Sequence, residues 1–181
     1  FICRQFTFLN YYLWAYFYKM NYFELFEIPV SPKVNQNTLT KKYFDLQRQH
    51  HPDFYSNATD AEKEEIMETS AAINKAYTTF KDEQKTLEYF LILKGQIDEN
   101  EKYSLPNLFL MEMMDFNEEL LEMNKEEAIK KIGVIDQEFY SIIKDEIENY
   151  NEQNSNESLP KMKEYYYKKK YLNRILDRLQ D

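Results

Sequence analysis

The chain has 181 residues, enough for one domain or two small ones, and its 23 Lys and Arg residues against 32 Asp and Glu residues give a formal net charge of −9. Because nucleic-acid binding depends largely on neutralising phosphates, this acidic balance argues against a nucleic-acid partner. The 2 glycines exclude the glycine-rich loops that hold nucleotides, while 1 cysteine and 2 histidines exclude a disulfide framework and the thiolate and three-histidine zinc sites. We therefore expect neither a cofactor nor a metal ion.

Residues 1–19 differ in character from the rest of the chain. They contain many aromatic residues and no acidic residue. The apolar run from Phe8 to Tyr18 is too short to cross a membrane and lacks a small-residue cleavage site. Since Met20 opens a sequence of different composition, we interpret 1–19 as a non-native or disordered leader, with an anchor on a membrane surface as the alternative. For the rest of the chain we expect no membrane partner.

Residues 20–94 are predicted to form a small helical domain. A short helix over about 21–26 precedes a longer one over about 36–50, for which Asn35 is a suitable N-cap and Pro52 a stop. The apolar face of the longer helix recurs at helical spacing: Leu39, Tyr43, Leu46 and His50.

A third helix is predicted to start at Thr59, because Thr59 and Glu62 have the spacing of a capping box. Its inward stripe recurs with the same period: Ile66, Ser70, Ile73, Tyr77 and Phe80. The short connection between the second and third helices predicts an antiparallel hairpin. A fourth helix over about 83–93 is predicted to end at Gly95.

After a predicted linker over 95–104, residues 105–181 are predicted to form a three-helix bundle, with helices over about 106–123, 125–150 and 158–179. Ser158 is taken as the N-cap of the last helix, with Pro160 in its first turn and the preceding NEQNSNES as a polar loop. The apolar stripe of the middle helix has eight members: Ala128, Ile132, Ile135, Phe139, Ile142, Ile143, Ile147 and Tyr150. No strand-like alternation persists, so we expect an all-α fold.

The tripeptide His51-Pro52-Asp53, in the loop of the predicted hairpin, is the sharpest functional signal. By itself it is more often a proline-induced helix stop than a site. Its context is more specific, because an AAINKAYTTF segment follows and the helix before it bears the basic residues Lys41, Lys42 and Arg48. Proline fixes the loop conformation, and the Asp53 carboxylate suits a cationic partner group.

This pattern resembles a J domain. The resemblance implies that His51, Pro52, Asp53 and the basic residues Lys41, Lys42 and Arg48 contact a heat-shock chaperone of the seventy-kilodalton class and stimulate its ATP hydrolysis. The stretches NYFELF, YFDLQRQHHPDFY and LFLMEMMDFNEEL resemble more narrowly the HscB-type co-chaperones of iron–sulfur cluster assembly. The expected fold is thus an N-terminal J domain, a helical hairpin with flanking short helices, followed by the C-terminal bundle.

In that family the C-terminal bundle binds the iron–sulfur scaffold protein, and the resemblance places the scaffold-binding residues at Leu110, Met111, Met114, Asp115, Glu118, Glu122 and Tyr171. Helical spacing puts most of them on one face. The alternative is that Leu110, Met111 and Met114 belong to the bundle core. A rival stripe on the same helix is able to fill that core: Phe109, Met113, Phe116 and Leu120.

We expect a non-enzymatic co-chaperone that brings the scaffold to the chaperone. The alternatives are a J-domain protein with a different client and a helical enzyme using His51 and Asp53. Phe44 and Asp45 stand where generalist J proteins often carry basic residues, which favours a dedicated chaperone. The lone Cys3 cannot form the cysteine-pair zinc module of some eukaryotic members, which favours a bacterial, cytoplasmic protein over one of the mitochondrial matrix.

Overall fold

The computed structural model describes residues 20–55, 58–98 and 101–180. Within these ranges the regular structure is helical and contains no strand, which confirms the all-α prediction. The helices are α1 (Tyr22–Leu25), α2 (Gln36–His50), α3 (Asp60–Lys81), α4 (Glu83–Leu93), α5 (Asn107–Leu120), α6 (Lys125–Glu148) and α7 (Ser155–Gln180), with short 3₁₀ helices at Pro52–Tyr55 and Glu152–Asn154. The interpretation of 1–19 as a leader lies outside the described residues.

The chain forms two compact units, the first ending at Thr86 and the second beginning at Leu87. The division falls inside α4. In the first unit the Thr86 hydroxyl donates to the carbonyl oxygens of Thr79 and Asp82. In the second, the ring of Phe90 packs edge-on against Tyr150 with centroids 4.9 Å apart. The division into a domain over 20–94, a linker over 95–104 and a bundle over 105–181 stays a prediction.

In the first unit α2 and α3 form an antiparallel hairpin. The rings of Tyr43 and Tyr77 stack with centroids 3.9 Å apart, and Asn74 accepts hydrogen bonds from the Tyr43 hydroxyl and the Gln47 amide. Both helices start at the predicted caps, since Asn35 accepts from two backbone amides of α2 and the capping box of α3 is present. The core beneath the hairpin consists of Phe23, Phe26, Leu39, Ile73, Ala76 and Phe80.

The second unit is held together by α5, α6 and α7. The ion pairs Asp136–Lys169 and Glu146–Lys161 show that α6 and α7 run antiparallel. The buried cluster at its centre consists of Phe109, Met113, Phe116, Leu120, Ala128, Ile132, Leu172 and Ile175. The inward face of α5 is thus the stripe that the sequence offered as the rival core. Within the described ranges, none of the helices combines the length and apolar character that a membrane-spanning helix needs.

The start of α7 differs from the prediction. The helix begins at Ser155, so Ser158 is a buried residue inside it rather than its N-cap, and Pro160 lies beyond the first turn. The chain before α7 is also more ordered than a polar loop, because the Asn151 side chain caps a 3₁₀ turn. The missing N–H of Pro160 leaves only the carbonyl of Asn156 without a helical donor, and Asn156 is exposed to water.

The predicted stripe of α6 differs from the structure at two positions. Tyr150 lies beyond the end of the helix at Glu148. Within the helix the stripe is wrong at Ile142. The side chain of Ile142 is 78% exposed, whereas Ile143 is 3% exposed. Neighbouring residues on a helix point about 100° apart, so only one of the two faces the centre of the bundle.

Candidate functional site

The His51-Pro52-Asp53 segment forms a tight turn at the end of α2. His51 is the C-cap of that helix and has an extended backbone, as expected for a residue that precedes proline. Pro52 then opens the 3₁₀ helix, in which the Phe54 amide donates to the His51 carbonyl at 3.1 Å. The turn therefore projects the side chains of His51 and Asp53 from the tip of the hairpin, where both are exposed to solvent.

A hydrogen bond from the backbone fixes the position of the His51 ring beside Asp53. The His51 Nδ1 atom accepts a hydrogen bond from the Asp53 amide at 3.3 Å and lies 3.7 Å from the Asp53 carboxylate. An accepting Nδ1 places the ring proton of the neutral imidazole on Nε2, which is left to donate to another group. The arrangement offers a donor and a carboxylate side by side to an approaching molecule.

Two aromatic residues complete the turn. The ring of Phe54 lies edge-on to the ring of His51, with centroids 5.9 Å apart. The Tyr55 hydroxyl donates to the Gln49 carbonyl at 2.7 Å, which ties the end of the turn to the last turn of α2. Because both ends of the turn are fixed, little conformational entropy would be lost on docking.

The predicted basic residues of α2 fall into two groups. Lys41 and Arg48 are exposed, and their spacing of seven residues puts them on the same side of the helix. Lys42 lies about 100° around the helix from Lys41 and forms an ion pair with Glu27. That contact lowers the pKa of the Glu27 carboxyl. The structure thus places Lys41 and Arg48 on one side of α2 and Lys42 on another.

His50, next to the turn, belongs to the inner side of α2. It is half-buried, and burial lowers the pKa of its imidazole. In the described ranges no group of three or more His, Cys, Asp or Glu side chains is placed to hold a metal ion.

The outer face of α5 forms a second candidate surface. Met111 and Met114 are each 64% exposed, so the alternative that they belong to the bundle core is wrong. Two exposed carboxylates, Asp115 and Glu118, lie on the same side of the helix. Glu122 is also exposed, but it lies in the turn beyond the Leu121 C-cap rather than on the helix. An apolar strip with acidic neighbours suits a partner that is apolar at its centre and basic around it.

Leu110 and Tyr171 lie at the border of this surface. Both are half-buried and pack against the buried cluster of the second unit. The Tyr171 ring stands edge-on to Phe109 with centroids 5.7 Å apart, and its hydroxyl lies 3.5 Å from the Asn117 amide. These two residues therefore have a structural role as well as an accessible edge.

Sequence reasoning missed two members of the α5 surface. Leu108 and Leu121 are both exposed, at the two ends of the helix. The spacing of Leu108 from Met111 and of Met114 from Leu121 could have found them, since residues three and seven apart share a helix side.

Comparisons with known proteins match both parts of the chain. Residues 21–89 match the family model for the DnaJ domain, and residues 105–180 match that for the HSCB C-terminal oligomerisation domain. Among curated relatives, the co-chaperone protein HscB homolog of Vibrio cholerae is 37% identical over 102 residues, which are 56% of this chain and 60% of the relative. The homolog of Shewanella amazonensis is 39% identical over 105 residues, covering 58% of this chain and 60% of the relative.

Solved structures agree with these matches. The crystal structure of human co-chaperone protein HscB aligns with a TM-score of 0.75 and 28% identity, over 90% of this chain and 81% of the human chain. Chaperone HscB from Vibrio cholerae aligns with a TM-score of 0.59 and 27% identity, over 88% of this chain and 99% of that one. The chain matches 60% of the length of the curated relatives.

Proposed function

The chain belongs to the HscB-type family of J-domain co-chaperones, and from that premise we propose that it binds an iron–sulfur cluster scaffold protein, delivers it to a specialised heat-shock chaperone and stimulates the ATPase of that chaperone. In this role the chain promotes cluster transfer as an adaptor and performs no catalysis. The observation that carries the proposal is the exposed His51-Pro52-Asp53 turn, fixed at both ends at the tip of the helical hairpin.

The turn suits the chaperone for three physical reasons. Pro52 fixes the backbone before binding, which reduces the entropy lost on docking. The Asp53 carboxylate offers two acceptor oxygens to a cationic group, and His51 offers its Nε2 donor beside it. Lys41 and Arg48 favour approach to an acidic surface. Lys42 is less available to a partner, because its ammonium forms an ion pair with Glu27.

The outer face of α5 suits the scaffold. Exposed methionines provide an adaptable apolar contact, and Asp115, Glu118 and Glu122 orient a basic surface around it. Leu110 and Tyr171 extend the contact along the border of the buried cluster. A J-domain protein with another client would share the first surface but fail to bind the scaffold through this one.

Catalysis by His51 and Asp53 is not favoured. The His51 Nδ1 atom is engaged by the amide of Asp53, and both side chains stand on an exposed turn rather than in a cleft that could exclude water.

The test is the ATPase rate of the purified chaperone in the presence of the full chain or its His51→Gln variant. We expect stimulation by the wild type and none by His51→Gln, whose helical content should be unchanged because an exposed turn residue contributes little stability. Gln49→Ala is the matched control, an exposed neighbour on another side of α2, and should stimulate like the wild type. Full stimulation by folded His51→Gln would refute the role of the turn.

A further inference from the structure

Two phenylalanines in or near the turn are exposed, although this side chain usually lies in the protein interior. Phe44 is 59% exposed and Phe54 is 69% exposed, and they are the only exposed phenylalanines among the described residues. Most of the others are almost fully buried: Phe23, Phe26, Phe80, Phe90, Phe109 and Phe116. Phenylalanine is therefore mostly a core residue in the described part of this chain, and Phe44 and Phe54 lie outside the core.

Each exposed ring packs against a neighbouring aromatic ring but stays mostly uncovered. Phe44 contacts the ring of Tyr43 at a centroid distance of 5.6 Å, and Phe54 contacts the ring of His51 at 5.9 Å. Both leave most of their apolar surface in water, where a partner could remove it.

The two rings adjoin the residues assigned to the chaperone. Phe44 lies three residues after Lys41 and four before Arg48, which puts it on the same side of α2 as both. With a rise of about 1.5 Å per residue, its position is about 10 Å along the helix from the turn. Phe54 follows Asp53 directly.

Charge alone is a weak source of affinity on this side of α2. Lys41 and Arg48 carry two positive charges, and Asp45 between them carries one negative charge, which leaves a single net positive charge in a chain of formal net charge −9. Exposed charges mainly set association rate and specificity, whereas interface affinity concentrates in a few apolar or aromatic side chains that become buried.

We propose that Phe44 and Phe54 supply most of the affinity for the chaperone, and that the acidic docking face of that partner carries apolar pockets which receive the two rings. This inference rests on the proposed function and deepens it, because it separates binding from triggering. The rings hold the chaperone, and the His51-Pro52-Asp53 turn stimulates its ATPase. Pairing would then be restricted to chaperones with these pockets.

The separation has a measurable signature in a titration of chaperone ATPase rate against concentration of the full chain. Phe44→Ala combined with Phe54→Ala should raise the concentration for half-maximal stimulation at least tenfold while the maximal stimulation is retained. His51→Gln should remove the maximal stimulation itself. Ile142→Ala is the matched control, since Ile142 is a large apolar side chain, 78% exposed, on α6, and its titration should match the wild type within twofold.

Two further comparisons keep the roles apart. Phe54→Leu retains an apolar side chain next to His51 and should lose less affinity than Phe54→Ala, which it would not do if the ring served only to orient His51. Added salt should weaken the effect of Lys41→Ala but leave the effect of Phe44→Ala, because burial of an apolar ring is not screened.

A double phenylalanine variant that titrates like the wild type, while His51→Gln is inactive, would overturn this inference and leave the proposed function standing. Stimulation by His51→Gln would instead refute the proposed function. Sedimentation of the same proteins tests whether a second copy of the chain, rather than the chaperone, occupies this surface. If the wild type self-associates and the double variant does not, with equal stimulation by both, the rings bind a second copy of the chain and the inference is wrong.

Discussion

Replacing Met111 and Met114 together by alanine should weaken scaffold binding at least tenfold while leaving the fold almost as stable as before. Each side chain is 64% exposed, so only about a third of its surface is buried in the free chain. Full burial of a Met side chain stabilises by about 1.5–3 kcal/mol, and a third of that is about 0.5–1 kcal/mol for each residue. The higher helix propensity of alanine offsets part of this loss.

Met113→Ala is the matched control, because the same residue type on the same helix is only 4% exposed. Truncating a buried methionine costs about 2–5 kcal/mol. For a protein of this size each kcal/mol lowers the melting temperature by about 2–4 °C, so the control should melt well below the wild type. Tyr171 is left intact in both variants, since its ring packs on Phe109 and its loss would mix stability with binding.

The assay pairs a thermal melt followed by circular dichroism with a titration of purified scaffold. A tenfold loss of affinity corresponds to about 1.4 kcal/mol, which burial of two methionines in an interface readily supplies. If Met111→Ala with Met114→Ala melts as low as Met113→Ala, the two side chains stabilise the fold far more than their exposure implies, and the reasoning from burial is refuted. Unchanged scaffold affinity in a stable double variant would show that the scaffold binds elsewhere.

Two further predictions concern charge. Asp115→Lys with Glu118→Lys should slow association with the scaffold, and the difference should shrink as salt is added; Glu138→Lys with Asp145→Lys makes the same change of charge on exposed positions of α6 and should leave the association rate nearer to the wild type. Burial lowers the pKa of His50 below its ordinary 6.5, so the unfolded chain binds the proton first as the pH falls, and stability present above pH 6.5 is lost below it. His50→Gln should reduce this loss in melts recorded across that range, and an unchanged pH profile would contradict the assignment.

Local signals predicted the helix boundaries where capping side chains act over three residues. Asn35 and the Thr59–Glu62 pair accept hydrogen bonds from backbone amides at the start of their own helices. Because these contacts join residues close in sequence, the sequence alone predicts them. The same reasoning failed at α7. Ser158 and Pro160 have the pattern of a helix start, but the helix begins at Ser155, directly after the 3₁₀ turn that Asn151 caps, so Ser158 lies inside it.

Tertiary packing decided what the sequence left open. Ile142 and Ile143 fit the stripe of α6 about equally well, and only the position of α7 selects Ile143 for the interior. The pairing of Lys42 with Glu27 joins residues in different elements and has no local signature. The turn at His51-Pro52-Asp53 was predicted because proline and its neighbours fix it locally, whereas the exposure of Met111 depended on which face of α5 enters the bundle.

The measurement that tests the adaptor role most directly is the chaperone ATPase rate with the scaffold and the full chain added separately and together. We expect the two together to stimulate more than the sum of their separate effects, because one chain binds both partners. Met111→Ala with Met114→Ala should remove this excess while retaining stimulation by the chain alone. Equal, purely additive rates for the wild type and this variant would contradict the adaptor role.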